Sequence, residues 1–483
     1  MTYLGLDLGT SGLRALLVDQ EGDVVGATER AFEVSNPHPG WSEQDPADWV
    51  SALEGAIEEL RQIYPAFKSV SGIGVSGHMH GATLLDASGA VLRPCILWND
   101  TRSHVEAAHL DQIPNVRDLS GNIVFPGFTA PKLEWVRKHE PDTFERVAKV
   151  LLPAAYLNYY LTGDYVGDMS DSAGTSWLDV ANRSWSEMLL EAGHMSADQM
   201  PRLVEGSEAA GVLRDDLCRK WGLTGNVAVA GGAGDNAAAA CGMGALNEGQ
   251  GFVSLGTSGV LLAARDGYHP DPCTAVHTFC HAVPGRWYQM GVMLSATDSL
   301  NWLSRITGES PAAMAGAVEG ELKAPGAVRF LPYLSGERTP HNDPAIRGSF
   351  VGLSTATARE DMTRAVMEGV AFGLRDSFDA LKATKANLSH VFAIGGGSAS
   401  RYWLECLATL FDIPLALPKG SELGAAFGAA RLARLAATGE AVEDVIRMPG
   451  VAETLDPVPA QRTAFEEAYA AFRAMYPAIR SIQ

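Results

Sequence analysis

A five-residue segment occurs twice in this chain of 483 residues. The segment Leu8-Gly9-Thr10-Ser11-Gly12 returns at residues 255–259, about half a chain length later. Each copy follows a short apolar run and precedes another, which is typical of a turn between two strands. Solenoid repeats have periods of only about 20–50 residues. The repeat therefore predicts two related domains, with residues 1–246 in the first and residues 247–483 in the second.

The surrounding pattern of apolar residues predicts an α/β fold. Strands are expected at residues 3–8, 13–18, 70–75, 91–97 and 390–394, the first two within an antiparallel meander. Asp45 and Pro46 are a favoured N-cap and first residue for a helix. Thr357 and Glu360 form a capping-box pattern ahead of a second long helix. Further helices are expected at residues 401–410, at residues 422–435 and over the last thirty residues.

Glycine is abundant, with 51 residues in the chain, and it clusters in short turns after apolar runs. In the turn of Gly9, Thr10 and Ser11, open backbone N–H groups and hydroxyls can hold a phosphate without net positive charge. Arg14 adds a nearby cation. Asp7, at the end of the preceding strand, can hold hydrated Mg²⁺. The alternative is a plain hairpin turn with a structural aspartate.

Two later glycine clusters are also candidates for binding. Residues 231–236 read Gly-Gly-Ala-Gly-Asp-Asn, which places Asp235 between a glycine turn and an Ala-rich helix. A carboxylate there can act as a general base in phosphoryl transfer, where positioning matters most. The alternative is that Asp235 only caps the helix. Residues 395–398, Gly-Gly-Gly-Ser, suit close approach to a flat or phosphorylated ligand.

Charge and missing motifs exclude several classes of protein. The formal net charge of −20 disfavours nucleic acid and anionic membranes as partners. The chain has no Gly-Lys dipeptide, so the P-loop class of nucleotide enzymes is excluded. Gly72, Gly74 and Gly77 match the dinucleotide-binding pattern, but they lie inside a predicted strand rather than after it.

His78 and His80 leave two interpretations open, because paired imidazoles can bind either a metal ion or a sugar hydroxyl. Six scattered cysteines without a C-x-x-C pattern indicate reduced thiols in a cytoplasmic protein. No basic region precedes the first apolar residues, so a signal peptide is not expected. The most apolar long window, residues 227–246, contains Asp235 and is a poor membrane span.

Taken in order, these motifs resemble the FGGY carbohydrate kinases, which belong to the actin/hexokinase-like ATPase superfamily. The motifs are residues 7–12, 231–236, 255–259 and 395–398. Further similar segments are residues 41–46, 79–86, 96–100, 126–132, 168–171 and 331–341. The resemblance covers residues 3 to about 435. It implies two ribonuclease H-like domains flanking a deep cleft, with ATP and Mg²⁺ as cofactors.

The resemblance also implies roles for individual residues. Asp235 would be the base that takes a proton from the sugar, and Asp7 and Asp235 would hold Mg²⁺. The residues implied near the sugar are Met79, His80, Trp98, Asn99, Asp100 and Asn236. The residues implied near ATP are Gly9, Thr10, Ser11, Arg14, Gly256, Thr257, Gly396, Gly397 and Ser398.

The implied activity is the ATP-dependent phosphorylation of D-xylulose at O5. Alternatives are a kinase for another ketopentose or polyol, such as ribulose or arabitol, and a non-catalytic sugar sensor on the same fold. A sensor needs neither a base nor a metal site, so Asp7 and Asp235 argue against it. An actin-like polymer would leave the sugar-side residues without a purpose. The expected partners are the sugar and ATP, and the assembly considered is a homodimer.

Overall fold

The computed structural model describes residues 1–420 and 423–483, and two mixed sheets dominate this part of the chain. The first sheet has the order β5-β6-β4-β1-β2-β3, with β7 also paired to β4. Its strands are β1 (Thr2–Leu8), β2 (Gly12–Asp19), β3 (Val24–Ala31), β4 (Val70–Gly77), β5 (Ala209–Val212), β6 (Ala228–Ala230) and β7 (Ala233–Gly234). The predicted meander at the start of the chain is confirmed.

The second sheet repeats this arrangement in the order β10-β11-β9-β8-β12-β13-β14. Its strands are β8 (Gln250–Leu255), β9 (Gly259–Arg265), β10 (His277–Cys280), β11 (Trp287–Met293), β12 (His390–Ile394), β13 (Leu415–Pro418) and β14 (Val451–Leu455). In both sheets the repeated segment connects the first two antiparallel strands, and the first strand also has a parallel neighbour. The predicted two-domain α/β fold is therefore confirmed, while the domain limits stay a prediction.

Helices cover the sheets. The longer ones are α1 (Pro46–Ile63), α2 (Thr129–His139), α3 (Pro153–Thr162), α4 (Asp235–Met243), α5 (Thr297–Thr307), α6 (Pro311–Val318), α7 (Arg359–Ala383), α8 (Arg401–Phe411), α9 (Ala425–Thr438) and α10 (Arg462–Arg480). The shorter ones are His104–Leu110, Val116–Ser120, Pro141–Phe144, Met169–Ser172, Glu187–Ala192, Asp215–Trp221 and Val442–Val445.

Short two-stranded sheets lie apart from the two large sheets. They are Glu43–Gln44 with Cys95–Ile96, Thr83–Leu85 with Lys149–Leu151, Val166–Asp168 with Arg202–Val204, Leu178–Asp179 with Ser184–Trp185, and Arg329–Leu331 with Ser349–Val351. No helix in the described part of the chain is long and apolar enough to cross a bilayer.

Three local predictions need correction or comment. The strand expected at residues 91–97 is reduced to Cys95–Ile96. At the start of α7 the N-cap is Ala358, whose backbone N–H donates to Asp361 Oδ2 at 2.9 Å, so the capping box predicted for Thr357 and Glu360 is replaced by this single bond. The helix predicted from residue 422 is present as α9, and Glu422 itself lies outside the described residues.

Helix α9 belongs to the second half of the sequence but packs on the first sheet. A Cβ at Gly5 or Gly74 of that sheet would lie 1.9 or 2.1 Å from the carbonyl oxygens of Ala426 and Ala429. Only glycine permits such an approach of strand and helix backbones. Helix α9 therefore ties the two halves together directly below the edge of the sheet where the site lies.

Candidate active site

The site is built at one edge of the first sheet. Ser76 of β4 pairs with Asp7 of β1 on one side and with Ala233 of β7 on the other. These three strands run parallel, so their carboxyl ends meet at the same edge. Asp7, at the end of β1, and Asp235, directly after β7, are thereby brought to neighbouring positions. Ser76 Oγ also donates a hydrogen bond of 2.8 Å to Asp7 Oδ1.

Asp235 is the first residue of α4, and Gly234 occupies the N-cap position. The alternative in which Asp235 is the N-cap is therefore wrong. Its Oδ1 accepts hydrogen bonds from the backbone N–H and from Nδ2 of Asn236, at 2.7 and 2.8 Å. The carboxylate is consequently held by its own neighbour in the chain.

Burial changes the acidity of both aspartates. The pKa of Asp235 is raised to about 7, mainly by desolvation and also by the negative charge of Asp7, while the bonds from Asn236 oppose the shift. Desolvation also raises the pKa of Asp7 to about 6, against the effects of Ser76 and Arg14. Two acidic groups thus face each other in a poorly solvated place, where a bound cation would stabilise both charged forms.

A cavity of about 250 Å³ opens beside Asp235 and receives residues from both halves of the chain. A cavity of this size suits a small metabolite rather than a drug-sized ligand. The first half contributes Met79, His80, Trp98, Phe125, Gly127, Phe128, Asp235 and Asn236. The second half contributes Ser258, Val260, Met290, Val292 and Arg338. Five residues predicted for the site, namely Asp235, Met79, His80, Trp98 and Asn236, thus share one cavity.

His80 is fixed in an unusual backbone conformation, with a φ of 72°. Its carbonyl oxygen accepts hydrogen bonds from Thr129 Oγ1 at 3.1 Å and from Lys132 Nζ at 2.8 Å. Its Nδ1 lies 2.7 Å from the Gly174 carbonyl oxygen, so Nδ1 carries the hydrogen and Nε2 keeps its lone pair. Burial lowers the pKa of His80 to about 3, so the ring is neutral at physiological pH.

The metal-binding interpretation of the histidine pair is not supported by this geometry. His78 is buried against the indole of Trp49, with 5.6 Å between ring centroids, and neither of its ring nitrogens has a hydrogen-bond partner among the described residues. His80 instead bonds to Gly174 and stacks on Phe128 at 4.4 Å. The two imidazoles therefore have separate environments.

Lys132 provides a test of this arrangement through pH. Burial lowers its pKa to about 7, below the ordinary value of about 10.4 that applies to the unfolded chain. Between these values the unfolded chain binds a proton that the folded chain does not, so the contribution of Lys132 to stability increases with pH. We expect the unfolding free energy of wild type minus that of Lys132→Met to increase from pH 7 to pH 9, by at most about 1.4 kcal/mol per pH unit.

Urea denaturation across this pH range measures that difference, with the exposed Lys323→Met as control. The control should give a difference that is independent of pH. A pH-independent difference for Lys132→Met would contradict an uncharged Lys132 in the folded protein.

The second copy of the repeated segment lines the cavity, and the first copy contacts one of its lining residues. Trp98, which lines it, donates from Nε1 to Thr10 Oγ1 at 3.0 Å. Ser258 of the second copy lines the cavity directly. Gly256 accepts at its carbonyl oxygen from the backbone N–H and the hydroxyl of Thr297, at 2.9 and 2.7 Å. Thr257, between them, is exposed, so its hydroxyl is open to a ligand.

Asn99 and Asp100 lie outside this cavity. Asn99 borders a separate surface depression formed by residues 36–42. Asp100 is buried and accepts from the guanidinium of Arg102 and from the Ser42 backbone N–H at 2.7 Å. Its carboxylate is thus committed to an ion pair, and contact of these two residues with the sugar stays a prediction.

A second cavity of about 570 Å³ lies in the second half, beside the 3₁₀ turn Gly396–Ala399. Gly396 and Gly397 line it, whereas Ser398 donates its hydroxyl to the Gly395 carbonyl oxygen at 2.7 Å. Contact of these three residues with ATP stays a prediction. Beyond these glycines the cavity is lined by Thr297, Leu300, Asn301, Pro311, Ala312, Ala315, Gly316, Glu319, Ala399, Ser400, Arg401 and Trp403. The small residues of α6 are the sequence pattern that could have indicated this side of the cavity.

Ser258, Phe125, Phe128 and Arg338 were also absent from the predicted site. Ser258 lies in the repeated segment itself, and Phe128 and Arg338 lie in segments 126–132 and 331–341, which carried the resemblance. The sequence therefore indicated the segments that form the cavity. It did not indicate which side chain of each segment lines it.

Family models identify the class of protein. The model for the N-terminal domain of the FGGY family of carbohydrate kinases matches residues 2–242, and the model for its C-terminal domain matches residues 251–437. The chain therefore belongs to the FGGY family of carbohydrate kinases.

One curated relative and two solved structures show which members of the family this chain is similar to. A xylulose kinase from Escherichia coli K12 is 48% identical over 441 residues, which are 91% of this chain and 90% of that protein. A crystal structure of a "xyloylose kinase" from Brucella ovis is 56% identical, covers 100% of both chains and superposes with a TM-score of 0.98. A xylulose kinase structure from Rhodospirillum rubrum is 30% identical, with 100% and 99% coverage and a TM-score of 0.92.

Proposed function

We propose that this carbohydrate kinase transfers the γ-phosphoryl group of ATP to O5 of D-xylulose. The observation that carries the proposal is the cavity that Asp235 lines together with His80, Trp98 and Asn236. Relatives that are nearly half identical over most of the chain and are named xylulose kinases support this choice of sugar. A cavity of this size suits a pentose.

In this proposal Asp235 is the general base. Its carboxylate lines the cavity and is oriented by Asn236. Burial raises its pKa to about 7, which makes it a stronger base than an exposed carboxylate and matches it to work near neutral pH. Phosphoryl transfer places most of its demand on positioning and charge stabilisation. Asp235 would orient the 5-hydroxyl and accept its proton.

The same carboxylates fit a magnesium ion. Asp7 and Asp235 offer hard oxygen ligands, and burial makes their joint ionisation unfavourable without a cation. No group of three or more His, Cys, Asp or Glu suited to a metal occurs among the described residues. Mg²⁺ usually takes one or two carboxylates together with water and phosphate oxygens. Bound there, it would neutralise charge on the transferred phosphoryl group.

We further propose that the two cavities divide the substrates between them. The turn at Gly9, Thr10 and Ser11 and the turn at Gly256 and Thr257 would face the phosphates of ATP. The cavity beside Gly396 would hold the adenosine.

All six cysteines carry free thiols, which agrees with a cytoplasmic location.

A screen of sugars tests the proposed substrate. We expect purified enzyme with Mg²⁺ and ATP to release ADP with D-xylulose at a kcat/KM at least tenfold above that with D-ribulose or D-arabitol. The measurement is coupled ADP release, with a reaction lacking sugar as the control. Failure with D-xylulose alone would indicate another substrate, and failure with every sugar would support a sensor.

A further inference from the structure

Arg338 brings a cation into the cavity from the second half of the chain. It lines the same cavity as Asp235 and His80. Its one side-chain hydrogen bond among the described residues joins Nη1 to His277 Nε2 at 3.3 Å. Burial lowers its pKa to about 10, so the guanidinium stays charged at neutral pH. A guanidinium carries five N–H donors, and the cavity is where the remaining ones can find an acceptor.

A chain of hydrogen bonds fixes the direction of that one contact. Asn122 donates from Nδ2 to the Ser120 and Thr278 carbonyl oxygens, at 2.8 and 2.9 Å. Its Oδ1 is therefore an acceptor, and His277 Nδ1, 3.3 Å away, carries the hydrogen. Nε2 of the neutral His277 is then the acceptor for Arg338. The only lone pair that His277 can offer is already used.

The backbone beside Arg338 is equally constrained. Its N–H donates to Glu337 Oε1 at 2.7 Å, and its carbonyl oxygen accepts from Asn342 N at 2.6 Å. Thr339 Oγ1 accepts from Val292 N and donates to the Ala275 carbonyl oxygen, both at 3.0 Å. The guanidinium is therefore presented from a fixed support.

Ring contacts place Arg338 at the His80 end of the cavity. The His80 ring stacks on Phe128 at 4.4 Å, Phe128 contacts Phe125 at 5.5 Å, and the guanidinium lies 4.6 Å from the Phe125 centroid. The charge of Arg338 lowers the pKa of His80 and of His277, whereas the acidity of Asp235 responds to Asp7. Arg338 is thus close enough to His80 and His277 for its charge to act on both rings.

On the basis of the proposed function, we propose that Arg338 binds the C2 carbonyl oxygen of the ketose and so selects 2-ketoses over polyols. With O5 at Asp235, the carbonyl end of a pentulose extends toward His80 and Arg338. A carbonyl oxygen only accepts, which matches the donor-only guanidinium. A hydroxyl at C2 would bring a hydrogen that Arg338 cannot accept and for which His277 has no free lone pair. The lone pair on His80 Nε2 is the acceptor left at that end, and the C1 and C3 hydroxyls of either sugar already compete for it, so a polyol has one donor more than the ketose for the same acceptor. An unpaired buried donor is costly.

The test compares D-xylulose with xylitol and D-arabitol, the two polyols formed by reducing its C2. In Arg338→Met we expect kcat/KM for D-xylulose to fall by about 10- to 100-fold, the loss expected for a hydrogen bond to a charged group. The kcat/KM values for the two polyols should change by less than about threefold. The ratio of kcat/KM for D-xylulose to that for either polyol should therefore fall. Kd values of the three sugars, measured by calorimetry without nucleotide, should change in the same ratio.

Two further variants control this experiment. Arg338→Lys keeps a donor and should retain part of the preference, and the exposed Arg447→Met should leave it unchanged. Equal losses for ketose and polyols in a folded Arg338→Met, or an unchanged ratio, would overturn the assignment of Arg338 alone. A wild type that does not phosphorylate D-xylulose would overturn the proposed function and this assignment together.

Discussion

Asp235→Asn is expected to lower kcat with D-xylulose by about 10²- to 10⁴-fold, the range typical of a lost general base. The amide keeps the size of the side chain and an oxygen for the bonds from Asn236, but it cannot accept the proton of the 5-hydroxyl. Coupled ADP release gives kcat, and calorimetry gives the Kd of the sugar. We expect the Kd to stay within about tenfold of wild type, because one neutral hydrogen bond contributes only about 0.5–1.5 kcal/mol.

The proposed contact with Mg²⁺ requires a separate control for this variant. Asp7→Asn removes the other proposed metal ligand but leaves the base, so weaker Mg²⁺–ATP binding in both variants would report the metal contact, and a further loss of kcat found in Asp235→Asn alone would report the base. The exposed Asp444→Asn should behave as wild type. Near-normal turnover by a folded Asp235→Asn or Asp235→Ala would refute the assignment of Asp235 as the base.

The parts of the site that could be predicted from sequence are those that stand at or directly after the end of a strand. Asp7 and Asp235 were found because each stands beside a glycine turn at a strand end, and parallel strands bring such ends to one edge. The repeated segment indicated two similar sheets for the same reason: its conformation is set by neighbours in sequence. A local sequence pattern is sufficient to predict a site residue where neighbours in the chain determine the position of that residue.

Residues whose place depends on tertiary contacts could not be found in this way. Asp100 and Trp98 lie two positions apart in the sequence. Trp98 lines the cavity, whereas the carboxylate of Asp100 forms an ion pair with Arg102. That choice depends on an arginine packed 3.6 Å from the ring of Trp41, which no spacing in the sequence reveals. Arg338 reaches the cavity only because the second half folds against the first.

The return of α9 to the first sheet likewise has no local signal. Its Ala- and Gly-rich sequence indicates close packing, but it does not say against what. The structure shows that the partners are glycines of β1 and β4 and the helix that begins at Asp235. Small residues on both sides of a contact are matched in space rather than in sequence, so a single chain does not reveal the pairing.

Gly428→Ala, at the fourth residue of α9, distinguishes packing from helix propensity. Alanine is favoured over glycine inside a helix by about 1 kcal/mol, so propensity alone predicts a more stable protein. A Cβ at Gly428, however, would lie 1.8 Å from the carbonyl oxygen of Ala238 in α4. Overpacking against a backbone costs about 1–3 kcal/mol and sometimes more, and at this distance α9 and α4 must separate. We therefore expect a net loss of unfolding free energy of at least about 1 kcal/mol.

The same displacement should lower activity, because α4 begins at Asp235 and moves with its contact. Guanidinium denaturation gives the free energy, and coupled ADP release below the unfolding transition gives kcat. Gly424→Ala is the matched control, since a Cβ at Gly424 meets nothing within 4 Å. The control should change stability by less than about 1 kcal/mol, as expected for a glycine at the N-cap position. Equal or greater stability in Gly428→Ala would mean that the two helices yield at this contact, and that the position of Asp235 does not depend on it.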